Sequence, residues 1–219
     1  MTQPVIFCDF DGTITTKDNI MAIMKKFAPP EWEPIKDQIL GQEISIQQGV
    51  TQLFNLLSSD QKDEITQFVL NQAQIREGFE EFVAYTKAKH IPLFIVSGGI
   101  DFFVKPLVKD HIEDERIYCN EADFSGETIT ITWPHTCDEH CSNGCGCCKP
   151  SILRKLSDDN TYKIVIGDSI TDLQAAKLAD KVIARDFLIE KCEELNIPFE
   201  PFETFTDVIH ILKQLEVHT

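Results

Sequence analysis

Asp9 and Asp11 stand two residues apart in the segment Asp9-Phe10-Asp11-Gly12-Thr13, directly after a short apolar run at residues 5–8. In extended chain, residues i and i+2 project to the same side, so both carboxylates can face one reacting group. One can attack as a nucleophile while the other moves protons. The local alternative is a strand followed by an Asp-Gly turn, because both residue types favour turns on their own account. A second acidic cluster, Gly167-Asp168-Ser169-Ile170-Thr171-Asp172, follows another apolar run. There Thr171 can cap a helix and Asp172 can sit in its first turn, favoured by the helix dipole. Those roles leave Asp168 without one. Carboxylates combined with water and substrate phosphate suit Mg²⁺, and Asp9 together with Asp168 would supply such a site. The metal would neutralise charge on a phosphoryl group.

Ser97-Gly98-Gly99 offers a hydroxyl and unhindered backbone N–H groups after a third apolar run, a setting suited to an anion if a helix starts there. Lys149 precedes Pro150, and a proline at the first helical position places the lysine at the helix entrance. Taken singly, a glycine turn and a lone lysine are ordinary surface features; together with the two acidic clusters they form a set. A different chemistry is offered by residues 137–148, where five of the eight cysteines fall within twelve residues. Cys137, Cys141, Cys145, Cys147 and Cys148, with His135 and His140, are more than enough ligands for a tetrahedral zinc. Their spacing, Cys-x₃-Cys-x₃-Cys-x-Cys-Cys, is not the paired C-x₂-C of zinc ribbons. A glycine-rich loop of reduced thiols and a labile disulfide therefore stay open beside structural Zn²⁺.

The elements that must position these groups follow from hydrophobic period. Residues 5–8, 91–96, 162–166 and 181–184 are short apolar runs, the first three ending in polar or glycine-rich residues, with helical patterns between them. That alternation predicts an α/β doubly wound parallel sheet, whose ligands sit beyond the carboxyl ends of the strands. The polar clusters are thus expected to share one site. Between residues 15 and 76 the strand signal disappears, and apolar residues recur at helical spacing in Ile20-Ile23-Met24-Phe27, Ile46-Val50-Leu53-Phe54-Leu57 and Ile65-Phe68-Val69. Pro29-Pro30 and Ser58-Ser59-Asp60 break the pattern. An all-helical insertion at 15–76 in a core of 1–14 and 77–219 is expected. Alternating Ile129, Ile131 and Trp133 predict a β-hairpin at 122–133 beside the sheet, within a hairpin and cysteine-rich stretch of about 120–148.

Composition narrows the partners. The 219 residues carry 20 Lys+Arg against 36 Asp+Glu, a net charge of −16, with 42% hydrophobic residues. Nucleic acid and anionic membrane surfaces are disfavoured, since either needs a basic patch to release counterions. A small anionic metabolite is still permitted where a few cations are concentrated locally. No apolar run approaches the roughly 20 residues needed to span a bilayer. The opening MTQPVIFCDFDGT has no signal-peptide pattern, so a mature cytoplasmic protein with reduced thiols is expected. Oligomeric state is not legible.

The order DFDGT, an apolar strand ending in SGG, a Lys and then GDSITD resembles the four motifs of haloacid-dehalogenase-superfamily phosphatases, in the branch that includes phosphoserine phosphatase. The motifs run from Asp9 to Asp172. The resemblance implies Asp9 as nucleophile and Asp11 as general acid/base, with Ser97, Gly98 and Lys149 binding the transferring phosphoryl group of a small phosphate ester. It implies Mg²⁺ held by Asp9, the Asp11 carbonyl and Asp168, with Asp172 supporting them, and a helical cap at 15–76.

One departure bears on substrate. Phosphoserine phosphatases that resemble this chain carry a cap Arg for the substrate carboxylate, whereas residues 44–57 contain no Lys or Arg. A buried carboxylate without a cation is costly. An uncharged, partly apolar leaving group is expected instead, with Leu53 and Phe54 either lining its pocket or forming cap core. Rival functions are a phosphatase, phosphotransferase or mutase for another phosphate ester, and a metal- or redox-responsive binding protein on the same fold.

Overall fold

Alternate residues of the first strand bury on opposite sides. Ile6 and Cys8 pack with Ile95, Ile164 and Ile166, while Val5 and Phe7 pack with Val96 and Val165. Burial on both faces is why these strands are written as continuous apolar runs. The computed structural model describes residues 2–217. Its strands are β1 (Gln3–Cys8), β2 (Leu93–Ile100), β3 (Ile117–Asp123), β4 (Thr130–Thr132), β5 (Thr161–Gly167), β6 (Lys181–Ala184) and β7 (Phe199–Pro201). The helices are α1 (Asn19–Phe27), α2 (Trp32–Leu40), α3 (Ile46–Asn55), α4 (Lys62–Gln72), α5 (Phe79–Ala88), α6 (Asp101–Val108), α7 (Lys149–Leu156), α8 (Leu173–Ala176), α9 (Asp186–Glu194) and α10 (Phe205–Val217).

The seven strands form one sheet in the order β4-β3-β2-β1-β5-β6-β7, parallel except for the β3–β4 pair. Helices cover both faces: Phe82 of α5, Phe103 of α6 and Phe205 of α10 on one, Ile152 and Leu153 of α7 and Ala175 of α8 on the other. The doubly wound reading is thus what the chain builds. Strand order reverses between β1 and β5, and crevices at such reversals receive ligands.

Two expectations are corrected. The hairpin does not lie beside the sheet: β3 is a sheet strand paired with β2 through Ile95–Ile117 and Val96–Tyr118, and only β4 is the hairpin return. Asn120 and Glu121 interrupt the apolar pattern that would have announced it. Ser97-Gly98-Gly99 does not open a helix either. The triplet lies inside β2, where a register shift between Val96 and Ile100 bends the strand, and α6 begins only at Asp101.

The stretch 15–76 holds α1–α4. Asp18 caps α1, accepting from Met21 N at 2.9 Å, and Ser45 and Gln48 form a reciprocal capping box at α3. α2 carries a weak apolar signal, with Trp32 its buried residue, and was not read from the sequence. Leu53 and Phe54 are fully buried, and the Phe54 ring lies edge-on to Phe102 of α6 at 6.5 Å. They are core, so the pocket-lining alternative is set aside. The chain leaves and returns at adjacent points: Thr15 bridges Ile75, Thr16 N donates to Gln74 O at 2.9 Å, and Arg76 N donates to Ile14 O at 2.7 Å. No helix among the described residues is long and apolar enough to cross a membrane.

Candidate active site

Asp9 and Asp168 each follow the last residue of neighbouring strands, β1 and β5, and the ladder carries on past β1 as Asp9 N donates to Ile166 O at 2.9 Å. The parallel pairing therefore fixes both backbones before any side chain acts. Gly12 has φ +82°, and a Cβ there would overlap the Asp168 carboxylate, so the turn after Asp11 must be glycine for Asp168 to lie against it. Thr13 donates its hydroxyl to Asp168 Oδ1 at 3.2 Å. Asp172 folds back on the same turn, Oδ2 accepting from the backbone N–H of Asp168 at 3.2 Å and of Ser169 at 3.1 Å. Ser169 and not Thr171 is the cap of the short 3₁₀ turn Ile170–Asp172.

Lys149, 4% exposed, is the first residue of α7, with Pro150 next to it as the sequence implied. Its ammonium donates to Asp9 Oδ1 and to Asp172 Oδ1, each at 2.5 Å. Burial lifts Asp9 to about 6 although Lys149 opposes the rise. Asp168 rises further, to about 8, through burial and then the charges of Asp9 and Asp172. Burial alone would lower Lys149, but Asp172 and Asp9 more than reverse that and hold it above the usual ammonium range. Carboxylate oxygens of Asp9, Asp168 and Asp172 lie within 4.8 Å of one another. Three carboxylates facing one ammonium form a buried oxygen cluster short of positive charge, the donor chemistry that suits a hard divalent cation.

Asp11 is held from another direction. Its Oδ1 accepts from Asn19 N at 2.9 Å and Asn19 Nδ2 at 2.7 Å, at the first turn of α1. Burial, followed by the nearby Asp18 charge, raises its pKa well above the usual aspartate value. Gly99 sits between Asp11 and Ser97: a Cβ there would come within 2.6 Å of Asp11 Oδ2 and 3.0 Å of Ser97 Oγ. Ser97 is fully buried, and its Oγ accepts from Gly99 N at 2.9 Å, which leaves the hydroxyl proton free of that bond. A Cβ on Gly98 would meet nothing within 4 Å, so its backbone borders open space.

Three supporting residues escaped the sequence reading. Arg76 donates Nε to Thr13 O and Nη2 to Gly12 O, both at 2.7 Å, and so holds the turn after Asp11. Asn19 orients Asp11, and Asn120 of β3 donates to Gly98 O at 2.8 Å. Asn19 and Arg76 flank the ends of the helical stretch, and Asn120 is a buried amide inside a strand. Polarity at those places was the available signal.

The cysteine-rich loop is sorted by the fold. Sulfurs of Cys137, Cys141, Cys145 and Cys148 gather within 4.8 Å of one another. Cys147 is excluded: its thiol donates to Tyr118 O at 3.6 Å, and it is buried with Phe7 and Val96 under the sheet. All eight cysteines are free thiols. His135 packs on the Tyr118 ring at 5.0 Å, and neither it nor His140 joins the sulfur group. A cavity of about 440 Å³ is bordered by this loop's Asp138 together with Tyr118, His135 and Arg154, and neither Asp9 nor Asp168 lines it.

Comparison with known proteins bears on the family and the fold. The family described as haloacid dehalogenase-like hydrolase matches residues 6–177. The chain is 63% identical over 215 residues to a 2-hydroxy-3-keto-5-methylthiopentenyl-1-phosphate phosphatase of Geobacillus thermodenitrificans (strain NG80-2), covering 98% of each chain. A protein of the same description from Bacillus cereus (strain B4264) is 61% identical over 210 residues, 96% of each chain. Among solved structures, a phospho-aspartyl intermediate analogue of phosphoserine phosphatase superposes with TM-score 0.74 at 19% identity, covering 98% of this chain and 99% of that one. A phosphoserine phosphohydrolase-like protein from Francisella tularensis subsp. tularensis SCHU S4 gives TM-score 0.70 at 21% identity, covering 95% and 99%. These structures share the fold.

Proposed function

The chain belongs to the haloacid dehalogenase-like hydrolases, and from that membership we propose that it removes phosphate from 2-hydroxy-3-keto-5-methylthiopentenyl 1-phosphate. The products are phosphate and 1,2-dihydroxy-3-keto-5-methylthiopentene, a step of methionine salvage. The observation that carries the chemistry is the meeting of Asp9, Asp168 and Asp172 with the Lys149 ammonium at the reversal of strand order.

In the first half-reaction a carboxylate oxygen of Asp9 attacks phosphorus in line as the ester P–O bond breaks, and Asp11 passes its proton to the leaving oxygen. Burial and the neighbouring Asp18 charge raise the Asp11 pKa, which favours the protonated form that donates here. In the second, the Asp11 carboxylate takes a proton from water, the water oxygen bonds to phosphorus, and the bond to Asp9 breaks to free phosphate. Ser97, the Gly98 backbone and Lys149 bind the equatorial oxygens, where charge spreads in the transition state. Asp9, Asp168 and the Asp11 carbonyl would hold Mg²⁺, which when bound supplies neutralisation of the phosphoryl charge. Asp172 positions Asp168 and Lys149 through the bonds described above.

We assign 15–76 as a cap over a core of 1–14 and 77–219, with the paired linkers as the boundary. Selectivity against phosphoserine is supported by the cations at hand. Residues 44–57 supply none, and Arg76 is committed to the Gly12 and Thr13 carbonyls. A substrate carboxylate would be buried unpaired, whereas a thioether tail has no such need.

Phosphate release from a panel containing the enol phosphate and phosphoserine, with and without Mg²⁺, tests the reading. Preference for the enol phosphate with a Mg²⁺ requirement is expected, and preference for phosphoserine would overturn the substrate. Two displacements retain configuration at an isotopically chiral phosphorus, so inversion would overturn the covalent intermediate.

A further inference from the structure

We propose that Cys137, Cys141, Cys145 and Cys148 form a tetrathiolate zinc site that anchors the loop delivering Lys149. Their sulfurs lie within 4.8 Å of one another, and Cys141 Sγ is 3.8 Å from Cys145 Sγ. With Zn–S bonds of about 2.3 Å, a tetrahedron has an edge of about 3.8 Å. A disulfide would bring a pair to about 2.0 Å. Thiols are weak donors and weak acceptors, so four sulfurs have little to hold them together unless they share an ion.

The fold also removes the objection from spacing. With Cys147 turned into the core, the ligands read Cys-x₃-Cys-x₃-Cys-x₂-Cys, and the final pair is the C-x₂-C knuckle of zinc sites. Gly146 makes that turn at φ +76°, where a Cβ would come within 2.7 Å of the Trp133 ring.

Groups around the sulfurs are organised as metal sites require. The Ser151 hydroxyl donates to Cys148 Sγ at 2.9 Å. Arg154 grips Asp138 through two bonds of 2.7 and 2.6 Å, and Asp138 N donates to Ser151 Oγ at 3.0 Å. The residue after Cys137 is thus tied to α7. Cys148 is the N-cap of α7, where the helix dipole favours a thiolate. Zinc binding releases the four thiol protons to solvent and leaves a net negative centre, which the helix end and Arg154 offset. Soft sulfur selects zinc and hard oxygen selects magnesium, so the two clusters do not compete for one ion.

Cys148 and Lys149 are consecutive, so an ion that fixes Cys148 also fixes the backbone from which Lys149 reaches Asp9 and Asp172. On its other side the loop meets the helical stretch: Gln47 N donates to Gly144 O at 3.2 Å, and Gly144 packs on Ser45. Zinc therefore joins α7 to the start of α3.

Elemental analysis of protein purified under reducing conditions, then washed free of loosely held ions, decides the point. About one zinc per chain is expected. Cys147→Ser keeps it, Cys141→Ser loses it, and Ser151→Ala weakens affinity about tenfold. Co²⁺ alone added to the zinc-free chain should give the thiolate charge-transfer band of a tetrahedral site. The proposal is overturned by a chain that holds no zinc and takes up neither Zn²⁺ nor Co²⁺, by iron in its place, or by zinc loss from Cys147→Ser matching that from Cys141→Ser. Metal content is read without turnover, so active protein lacking zinc sinks this site alone, and inactive protein holding zinc sinks the phosphatase reading alone.

Discussion

Two ligand clusters meet back to back at the first turn of α7, where Cys148 belongs to the sulfur group and Lys149 to the carboxylate group. The carboxylates stand at the ends of β1 and β5, whose backbones the parallel sheet has already fixed. Their geometry precedes any ion, and what they lack is positive charge. The sulfurs come from a loop without regular secondary structure between β4 and α7, and three of the four are only partly buried. Such a segment has little apolar surface with which to offset its conformational entropy. On this contrast, one ion would complete the charge of a site that the fold has built, while the other would build the segment that holds it.

Substitutions can break that contrast, beginning with the reacting group. Asp9→Asn should lower phosphate release by on the order of 10⁵–10⁶-fold, while zinc content stays as in the parent; joint loss would mean that the clusters are not separate. Lys149→Met removes the cation from a buried ion network and should cost about 3–5 kcal/mol in chemical denaturation of Mg²⁺-free protein. A smaller loss with Mg²⁺ present would sharpen the point that charge is what this cluster lacks. Ser97→Ala should reduce turnover by about 10²–10³-fold and, because Gly99 N loses its acceptor, should also cost about 1–3 kcal/mol of stability; unchanged turnover would remove the hydroxyl from the transition-state role.

The mildest test is pH. Asp9 and Asp168 have folded pKa values of about 6 and about 8, both above the ordinary aspartate value. The native state then binds more protons than the unfolded chain between that value and about 8, so the stability of Mg²⁺-free protein should fall as pH rises through this window. Asp168→Asn should flatten the slope, measured by denaturant midpoint at several pH values. A slope of the opposite sign would contradict the charge deficit.

Much of the sheet could be read because its interior strands bury both faces and leave unbroken apolar runs. β3 could not, since Asn120 spends its amide on Gly98 O and the exposed Glu121 breaks the apolar run, and β7 has only three residues. The candidate site divides in the same way. Asp9, Asp11, Lys149 and Asp168 stand next to local signals: a strand end, an Asp-Gly turn, a proline at a helix start. Arg76 acts on Gly12 and Thr13 from the far end of an inserted stretch, and Asn19 reaches back to Asp11 from the first helix of that stretch, so neither partner is named by local pattern.

Sequence alone determined the class of sheet, the strand ends where carboxylates gather and the absence of a cation in residues 44–57. Each of these depends on residue type and on neighbours a few positions away. Tertiary structure decided that Ser97 bends within a strand, that Leu53 and Phe54 are core, and that Cys147 turns away while four other sulfurs converge. Those outcomes rest on contacts between distant segments, where competition for the same buried volume, and not local preference, sets the direction of a side chain.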